Sequence, residues 1–218
     1  MSEHVTLNVG GASIDIYLYV ESAGSRAKAE QLASVFSRMP TPHVGVIYPI
    51  IVMNRKPGGR QGGGTWTLPN VVTDFSSPGH EANTGVPNAD VQQIVAESGR
   101  GGLIGITLDR WVPPISRVRF TVMHEVGHCL HNSFRPGGLL ASGVNIDDLA
   151  GMLPNRCGAA NPLEKRIVEV YSNYICAPSA VFHAAVPGET AHQTNSRLVG
   201  HLRRSRAFES VPETWQPR

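Results

Sequence analysis

The segment His124-Glu125-Val126-Gly127-His128 places two imidazoles and one carboxylate within five residues. On an α-helix, residues four positions apart lie one turn above each other, so both imidazoles can reach one metal ion while the carboxylate points beside it. Zinc held by two neutral imidazoles and a third protein ligand keeps one position for water and lowers the pKa of that water to roughly 7. The spacing therefore predicts one Zn²⁺ per chain, bound by His124 and His128. Glu125 is the expected catalytic base, which takes the water proton and passes it to the leaving amine.

Apolar residues on both sides of this motif favour a buried helix. They are Val118, Phe120, Val122 and Met123 before it and Cys129 and Leu130 after it. Gly127 lowers helix propensity by about 1 kcal/mol relative to Ala, so a small residue here predicts close packing beside the metal. Cys129 points about a hundred degrees away from His128 around the helix, which favours packing over metal binding. The alternative is an amphipathic helix that the two His and the Glu merely decorate.

The third metal ligand must come from elsewhere in the chain. The extended motif with a His six residues after the second His does not occur, because position 134 is Phe. The sequence Asn161-Pro162-Leu163-Glu164 is typical of a helix start, with Asn as the N-cap and Glu in the capping-box position. It predicts a second helix that runs to about Cys176.

Two glutamates of this second helix have different expected roles. Glu164 is assigned to capping, which leaves Glu169 as the carboxylate expected to face the metal. Glu169 lies among apolar residues in the middle of the helix, where a carboxylate needs a partner. The alternative is an exposed stripe formed by Lys165, Glu169 and Asn173. Asp147 and Asp148 are weaker candidate ligands.

Hydrolysis also needs a group that stabilises the developing oxyanion. The residues available for this role are Tyr171, Tyr174, His183 and His192, and the sequence does not choose between them. His131 lies three residues beyond His128 on nearly the same helical face. It is either a group that supports the metal site or a contact to solvent near it.

The segment RFTVMHEVGHCLH at residues 119–131 resembles the active-site helix of the ImmA/IrrE family of metallopeptidases. The segment EVYSN at residues 169–173 is similar to the ExxAN segment of that family and to the ExxSD segment of thermolysin-like gluzincins. The resemblance implies that Glu169 is the third zinc ligand and Glu125 the catalytic base. It also implies that Asn173 holds a ligand His in place. An insertion at residues 134–160 separates the two motifs.

The elements that must position these residues are indicated by hydrophobic periodicity. Alternating residues 5–9 and 14–20 flank Gly10-Gly11 and predict a β-hairpin. The expected elements after it are a helix after Ser25 that ends before Pro40, a buried strand at 43–53, a helix at 88–97 and a strand at 103–108. Residues 54–87 are rich in Gly and Pro and predict a long loop, either a substrate-facing lid or a plain surface excursion.

Together these elements indicate a single domain over residues 1–218 with the α+β fold of a small zincin. It would contain the active-site helix, an antiparallel second helix with the ligand Glu169, and a twisted mixed sheet. The strand at 103–108 is expected at the edge of the sheet, where an extended substrate could add as a further strand.

Composition excludes several other classes of protein. Of the 218 residues, 41% are hydrophobic and 17% charged, and the net charge of +2 is too small to predict a nucleic-acid partner. Arg203, Arg204 and Arg206 are interpreted as a solvated helix face. Neither a signal peptide nor a transmembrane segment is predicted, so cytoplasmic synthesis is expected, and secretion without a signal peptide would leave the same trace. The odd count of Cys129, Cys157 and Cys176 argues against a disulfide scaffold, although one disulfide and a free thiol stay open.

The function expected from these residues is that of a zinc endopeptidase, and the resemblance implies either a regulatory protease or a secreted or injected toxin effector. The alternative is a sensor or interaction protein that binds zinc without catalysis, in which the presence of Glu125 would have no explanation. The expected partner is a protein or peptide substrate, and neither nucleic acid nor membrane is expected. The sequence does not define an inhibitor or immunity protein.

Overall fold

The computed structural model describes residues 3–20, 22–140, 162–178 and 187–217. Its strands are β1 (Glu3–Val9), β2 (Ala12–Leu18), β3 (Ile50–Met53), β4 (Gly63–Thr67) and β5 (Gly102–Thr107). They form one sheet in the order β1-β2-β3-β5-β4. β2, β3 and β5 are parallel neighbours, whereas β1 and β4 pair antiparallel at the two edges. The predicted α+β class and mixed sheet are therefore confirmed.

Helices cover both faces of this sheet. They are α1 (Ser25–Gln31), α2 (Ala33–Phe36), α3 (Thr41–Val44), α4 (Leu68–Phe75), α5 (His80–Thr84), α6 (Asn88–Ser98), α7 (Leu108–Trp111), α8 (Ile115–Ser133), α9 (Pro162–Cys176) and α10 (Ala191–Arg203). Short 3₁₀ turns lie at Pro57–Gly59 and Arg206–Phe208. Among the helices described, none has both the length and the apolar character needed to cross a membrane.

The first hairpin and several helices agree with the sequence. Gly10 and Gly11 have φ angles of 58° and 82°, which is the left-handed pair that a two-residue hairpin turn requires. The helix predicted after Ser25 is present as α1 and α2, and it ends before Pro40. The helices predicted at 88–97 and from 162 to Cys176 are present as α6 and α9.

The prediction of a buried strand over residues 43–53 is wrong in its first half. α3 covers the start of that segment, and only Ile50–Met53 is extended. Pro42 lies in the first turn of α3, where proline is favoured because its missing N–H has no partner in that turn. Val44 and Ile47 are buried as a strand would bury them, so the apolar run alone did not distinguish the two structures.

The prediction of a long loop at residues 54–87 is also wrong. This segment contains a 3₁₀ turn, β4, α4 and α5. Trp66, Val71 and Phe75 bury their side chains from β4 and α4, although no helical or strand period is visible over a window this short. Gly63 and Gly64, which suggested a loop, belong to β4. A side chain on Gly63 would overlap Glu125, and a side chain on Gly64 would overlap Trp66.

The position of β5 in the sheet also differs from the prediction. β5 was expected at the edge, but it lies between β3 and β4, and all six of its residues are buried. A strand buried on both faces belongs in the interior of a sheet. The edge next to β5 is β4.

The sheet separates two apolar clusters. On the inner face, Ile104 and Ile106 of β5 share a cluster with Val118 and Val122 of α8. On the outer face, Leu103 shares a second cluster with residues of β4, α4 and α6. Because strand residues alternate between faces, the inner face of β4 also looks toward α8.

Candidate active site

The motif His124-Glu125-Val126-Gly127-His128 lies on α8, as predicted, with its apolar residues turned into the core. The imidazole rings of His124 and His128 lie one helical turn apart, with centroids separated by 5.0 Å in a T-shaped arrangement. Burial, assisted by the nearby charge of His128, lowers the pKa of His124 to about 4. The His124 imidazole is therefore neutral at pH 7, which is the form that binds a metal.

Helix α9 packs closely against α8 at Gly127. A Cβ atom at this position would lie 2.7 Å from Cγ1 of Val168, so glycine is required for the approach of the two helices. This confirms the close packing predicted at this residue of the motif. The contacts of His128 with Glu164 and of Gly127 with Val168 run in opposite directions along the two helices. The helices are therefore antiparallel, as expected.

Glu164 has a role that the sequence interpretation missed. Nδ1 of His128 donates a hydrogen bond of 2.8 Å to Oε1 of Glu164, and this bond holds the pKa of Glu164 below its usual value. A carboxylate on Nδ1 fixes the tautomer and leaves Nε2 of His128 for a metal. Asn161, its proposed capping partner, lies outside the described residues. The sequence contained the information needed to predict this contact. If α8 and α9 are antiparallel and Glu169 lies opposite His124, the residue opposite His128 is about one turn before Glu169, where Glu164 stands.

Glu125 is held between α8 and the edge strand. Its side chain is buried, and the hydroxyl of Thr65 on β4 lies 2.9 Å from its Oε2. A Cβ atom on Gly63 would overlap the Glu125 carboxylate, so β4 passes as closely as a backbone can. Burial raises the pKa of Glu125, while His128, Thr65 and two lysines, Lys56 and Lys165, act in the opposite direction.

A cleft of about 630 Å³ opens beside this carboxylate. Its lining residues are Gly62, Gly63, Arg110, Phe120, Thr121, His124, Glu125, Glu169, Ser172 and Asn173. The cleft thus brings together His124, Glu125 and Glu169, which the sequence proposed for one site. Thr65 and Arg110 are neighbouring polar residues that the sequence did not single out.

The side chains of His124, His128 and Glu169 are of the types that bind zinc. Two imidazoles and a carboxylate match the chemistry that zinc prefers, and Glu164 supplies the hydrogen bond that a metal-binding imidazole needs on its other nitrogen. In the part of the chain that the structure describes, no three His, Cys, Asp or Glu side chains already stand gathered around a point that could hold a metal. The residue types fit a zinc ion, but the side chains would have to move closer together to bind it.

Several predicted site residues lie away from the cleft. Tyr171 is fully buried and donates to Nδ1 of His43 at 3.0 Å, and Tyr174 donates to Gln216 at 3.2 Å. His192 is exposed on α10. The tyrosines are helix residues of the core, so the structure does not bring them into the cleft. His183, Asp147 and Asp148 lie outside the described residues.

His131 and Asn173 have structural contacts. Nδ1 of His131 accepts a hydrogen bond of 3.4 Å from the backbone of Leu139, which ties the end of α8 to the following turn. Asn173 lines the cleft, and its amide donates to the Glu169 backbone at 2.8 Å, with no bond to an imidazole. The implied role of Asn173 as partner of a ligand His is therefore not seen in this arrangement.

The described cysteines are free thiols in apolar surroundings. Cys129 is buried and its thiol donates to the backbone oxygen of Val46 at 3.0 Å. Burial raises the pKa of both Cys129 and Cys176 to about 12, so neither is a thiolate at pH 7. The packing role predicted for Cys129 agrees with these contacts, and Cys157 lies outside the described residues.

No protein-family model, curated protein or solved structure matches the chain. The function is therefore argued from the residues of the cleft and from the motif on α8.

Proposed function

We propose that this chain is a zinc-dependent endopeptidase that cleaves an extended segment of a protein substrate. The observation that carries the proposal is the position of the edge strand β4, which contacts Glu125 directly through Gly63 and Thr65. A peptide that pairs with this edge would be held beside His124, Glu125 and Glu169 in one cleft. This arrangement suits cleavage of a backbone bond with little dependence on side chains.

His124, His128 and Glu169 are the residues that would hold the zinc ion. When bound, zinc supplies a Lewis acid and a water molecule of lowered pKa. Glu164 occupies the Nδ1 atom of His128 and so leaves Nε2 as the nitrogen that would bind the metal. His124 needs no deprotonation at neutral pH, since burial has already lowered its pKa to about 4.

Glu125 is the carboxylate placed to act as the general base. Its burial raises the pKa, and a base is most effective when its pKa lies close to the working pH. The Thr65 hydroxyl limits the rotation of the carboxylate, so the proton acceptor stays at one edge of the cleft. Glu125 would accept the proton of the attacking water and deliver it to the leaving amine.

The outer edge of β4 offers the hydrogen bonds for a substrate strand. Thr107 donates to the oxygen of Gly62 and Leu68 donates to the oxygen of Gly101, so the even-numbered residues of this segment bond toward β5. Backbone groups alternate in direction along an antiparallel strand, and the odd-numbered residues therefore point outward. Within the described chain, no strand pairs with this outer edge.

The proposal is tested by zinc content and peptide hydrolysis measured on the same preparations. The wild-type chain, reconstituted with zinc, is expected to bind one equivalent and to cleave denatured casein. Glu125→Gln should keep the zinc and lose the cleavage, because the substitution removes the proton acceptor and leaves the ligands in place. Glu209→Gln, at an exposed carboxylate remote from the cleft, is the matched control.

Three results would contradict the proposal in different ways. A wild-type chain that binds no zinc after reconstitution would remove the metal site itself. A chain that binds zinc and cleaves equally well with Glu125→Gln would show that the hydrolysis belongs to a contaminant. Zinc binding without cleavage of casein or of a mixed peptide library would favour a purely structural metal.

A further inference from the structure

The cleft contains one strongly basic side chain among its described lining residues, that of Arg110 on α7. The Nε atom of Arg110 lies 3.3 Å from Oδ2 of Asp109, and the Arg110 side chain is 57% exposed. The carboxylate of Asp109 also accepts a hydrogen bond from the Thr107 hydroxyl, so it interacts with both Thr107 and Arg110. Arg110 has no second ion pair among the described residues, and the N–H groups beyond Nε can donate to a ligand.

The sheet places Arg110 at one end of β4. In the register of β4 with β5, Gly63 lies opposite Ile106. β5 then continues into α7, which carries Arg110 past the Gly62 end of β4. A strand that adds antiparallel to β4 runs from the Thr67 end toward the Gly62 end. Antiparallel pairing is slightly more stable per residue than parallel pairing, so this is the direction favoured for a bound peptide.

This direction decides which part of the substrate meets Arg110. Glu125 lies against Gly63 and Thr65, so the bond to be cleaved would sit above this part of β4. The residues that follow the cleaved bond would then pass Gly62 and Arg110. The residues that precede it would lie toward Thr67.

A second positive charge lies at the same end. The ammonium of Lys56 donates to the outward backbone oxygen of Gly63 at 3.0 Å, within range to act electrostatically on Glu125. Beyond Arg110, a second groove of about 610 Å³ begins at Gln61 and Asp109 and is lined in part by Arg55. The path of the substrate after the cleaved bond thus carries the basic side chains of Arg110, Lys56 and Arg55 and one acidic side chain, that of Asp109.

We propose that Arg110 selects substrates with a carboxylate on the C-terminal side of the cleaved bond. The carboxylate is either an Asp or Glu side chain or the C-terminus of the substrate, and a guanidinium binds either group through paired N–H donors. Lys56 occupies the outward oxygen of Gly63, so a substrate strand that pairs there would displace the ammonium, which would then add attraction at the same end. This inference rests on the proposed peptidase function and specifies its substrate class.

The test uses the zinc-loaded full chain and fluorogenic peptides that are identical except after the cleaved bond. Peptides with Glu in the first two positions after the bond are compared with Gln and Lys versions, and each is made with a free and an amidated C-terminus. We expect kcat/KM to be about tenfold higher for Glu than for Gln, since a charge-assisted hydrogen bond is roughly twice as strong as a neutral one. A rate that falls on amidation by the same factor for the Glu, Gln and Lys versions would assign the bound carboxylate to the C-terminus.

Variants of Arg110 make the assignment specific. Arg110→Gln should remove the preference, and Arg110→Glu should reverse it in favour of Lys peptides. Arg117→Gln is the control, because Arg117 is an exposed arginine of α8 that does not line the cleft. Equal rates for Glu, Gln and Lys peptides that are also unaffected by amidation, or an unchanged carboxylate preference in Arg110→Gln, would overturn the inference while the peptidase function stood.

Binding gives a readout that does not depend on turnover. The zinc-loaded Glu125→Gln chain is titrated into fluorescein-labelled hexa-alanine peptides that contain one Glu or one Gln, and anisotropy gives the Kd. A Glu peptide that binds about tenfold tighter, with the difference lost when Arg110→Gln is added, supports the assignment. If no peptide were cleaved by the wild type, the proposed function would fail, and equal Kd values would separately reject the role of Arg110.

Discussion

The hydroxyl of Thr65 lies 2.9 Å from Oε2 of Glu125 and also 2.9 Å from the backbone oxygen of Glu125. A hydroxyl has one proton, so it can donate fully to only one of these acceptors at a time. When the carboxyl of Glu125 is protonated, it can itself donate to Thr65, and the Thr65 proton is then available for the backbone oxygen. β4 and α8 are thus joined by two hydrogen bonds, and the donor of one of them changes when Glu125 takes up a proton.

Thr65→Val is expected to lower kcat by roughly tenfold with little change in zinc content. A hydrogen bond to a charged acceptor contributes ~1.5–3 kcal/mol, and a factor of ten corresponds to ~1.4 kcal/mol. Thr65→Ser keeps the hydroxyl and should restore most of the rate. Steady-state kinetics with elemental analysis of the same samples would check this. A Ser variant as slow as the Val variant would mean that the methyl group, and not the hydroxyl, matters.

Gly127→Ala is expected to lower the free energy of unfolding by about 1–3 kcal/mol, because the added Cβ would lie 2.7 Å from Val168 and overpack the helix contact. Gly200→Ala is the matched control, since the nearest atom there is the flexible end of Arg204 at 3.4 Å. At Gly200 the gain in helix propensity of about 1 kcal/mol should dominate and stabilise the chain. Urea denaturation measures both changes, and two effects of the same sign would contradict the packing argument.

Glu169 and Glu164 should respond differently to substitution by Gln. Glu169→Gln removes a ligand and is expected to abolish stoichiometric zinc binding. Glu164→Gln removes the carboxylate on Nδ1 of His128 and should weaken zinc affinity by roughly 10–100-fold without abolishing it. Competition with a fluorescent zinc chelator gives both affinities. If Glu164→Gln alone lost the metal, the third ligand would be Glu164.

Buried His43 predicts a fall in stability at acid pH. Burial lowers the pKa of His43 to about 4, against about 6.5 when unfolded. Its ring donates to the backbone of Ala207 at 2.6 Å and accepts from Tyr171 at 3.0 Å, an arrangement that requires the neutral form. Between pH 6.5 and about 4 the unfolded chain gains a proton that the folded chain does not. Stability is therefore complete above pH 6.5 and falls toward pH 4.

The contribution of His43 to this fall is about 1.4 kcal/mol for each pH unit within that range. His43→Gln should be less stable at pH 7 and should show a slope smaller by this amount. His192→Gln, at an exposed position on α10, should keep the wild-type slope. Urea denaturation at pH 7, 6 and 5 measures the three slopes. Parallel curves for His43→Gln and wild type would show that His43 does not carry this effect.

Local patterns in the sequence were enough to predict part of the site. His124, Glu125 and His128 share one helix, and their relative positions follow from helical geometry alone. Glu169 lines the cleft on the helix that its neighbouring residues predict, and its role as a metal ligand stays a prediction. The hairpin at Gly10-Gly11 is equally local. In each case the residues that define the structure lie within a few positions of one another.

The contribution of β4 could not be read in the same way. Gly63 and Gly64 suggest a loop when only neighbours in the chain are considered, but their lack of side chains makes room for Glu125 and Trp66. That requirement is visible only when two distant segments are brought together. Tyr171 was misjudged for a related reason, since its partner His43 is 128 positions away in the chain.

β4 also has different attachments on its two sides. Trp66 packs edge-on against Phe75 with ring centroids 5.4 Å apart, and its indole donates to Asp74 at 2.8 Å. The next side chain in the strand, Thr65, belongs to the opposite face and holds Glu125. α4 therefore supports β4 on the face opposite to Glu125, and in this way it helps to fix the position of the Glu125 carboxylate without lining the cleft. In a peptidase built this way, substitutions in α4, such as at Phe75, would alter the turnover rate while every residue in the cleft stayed the same.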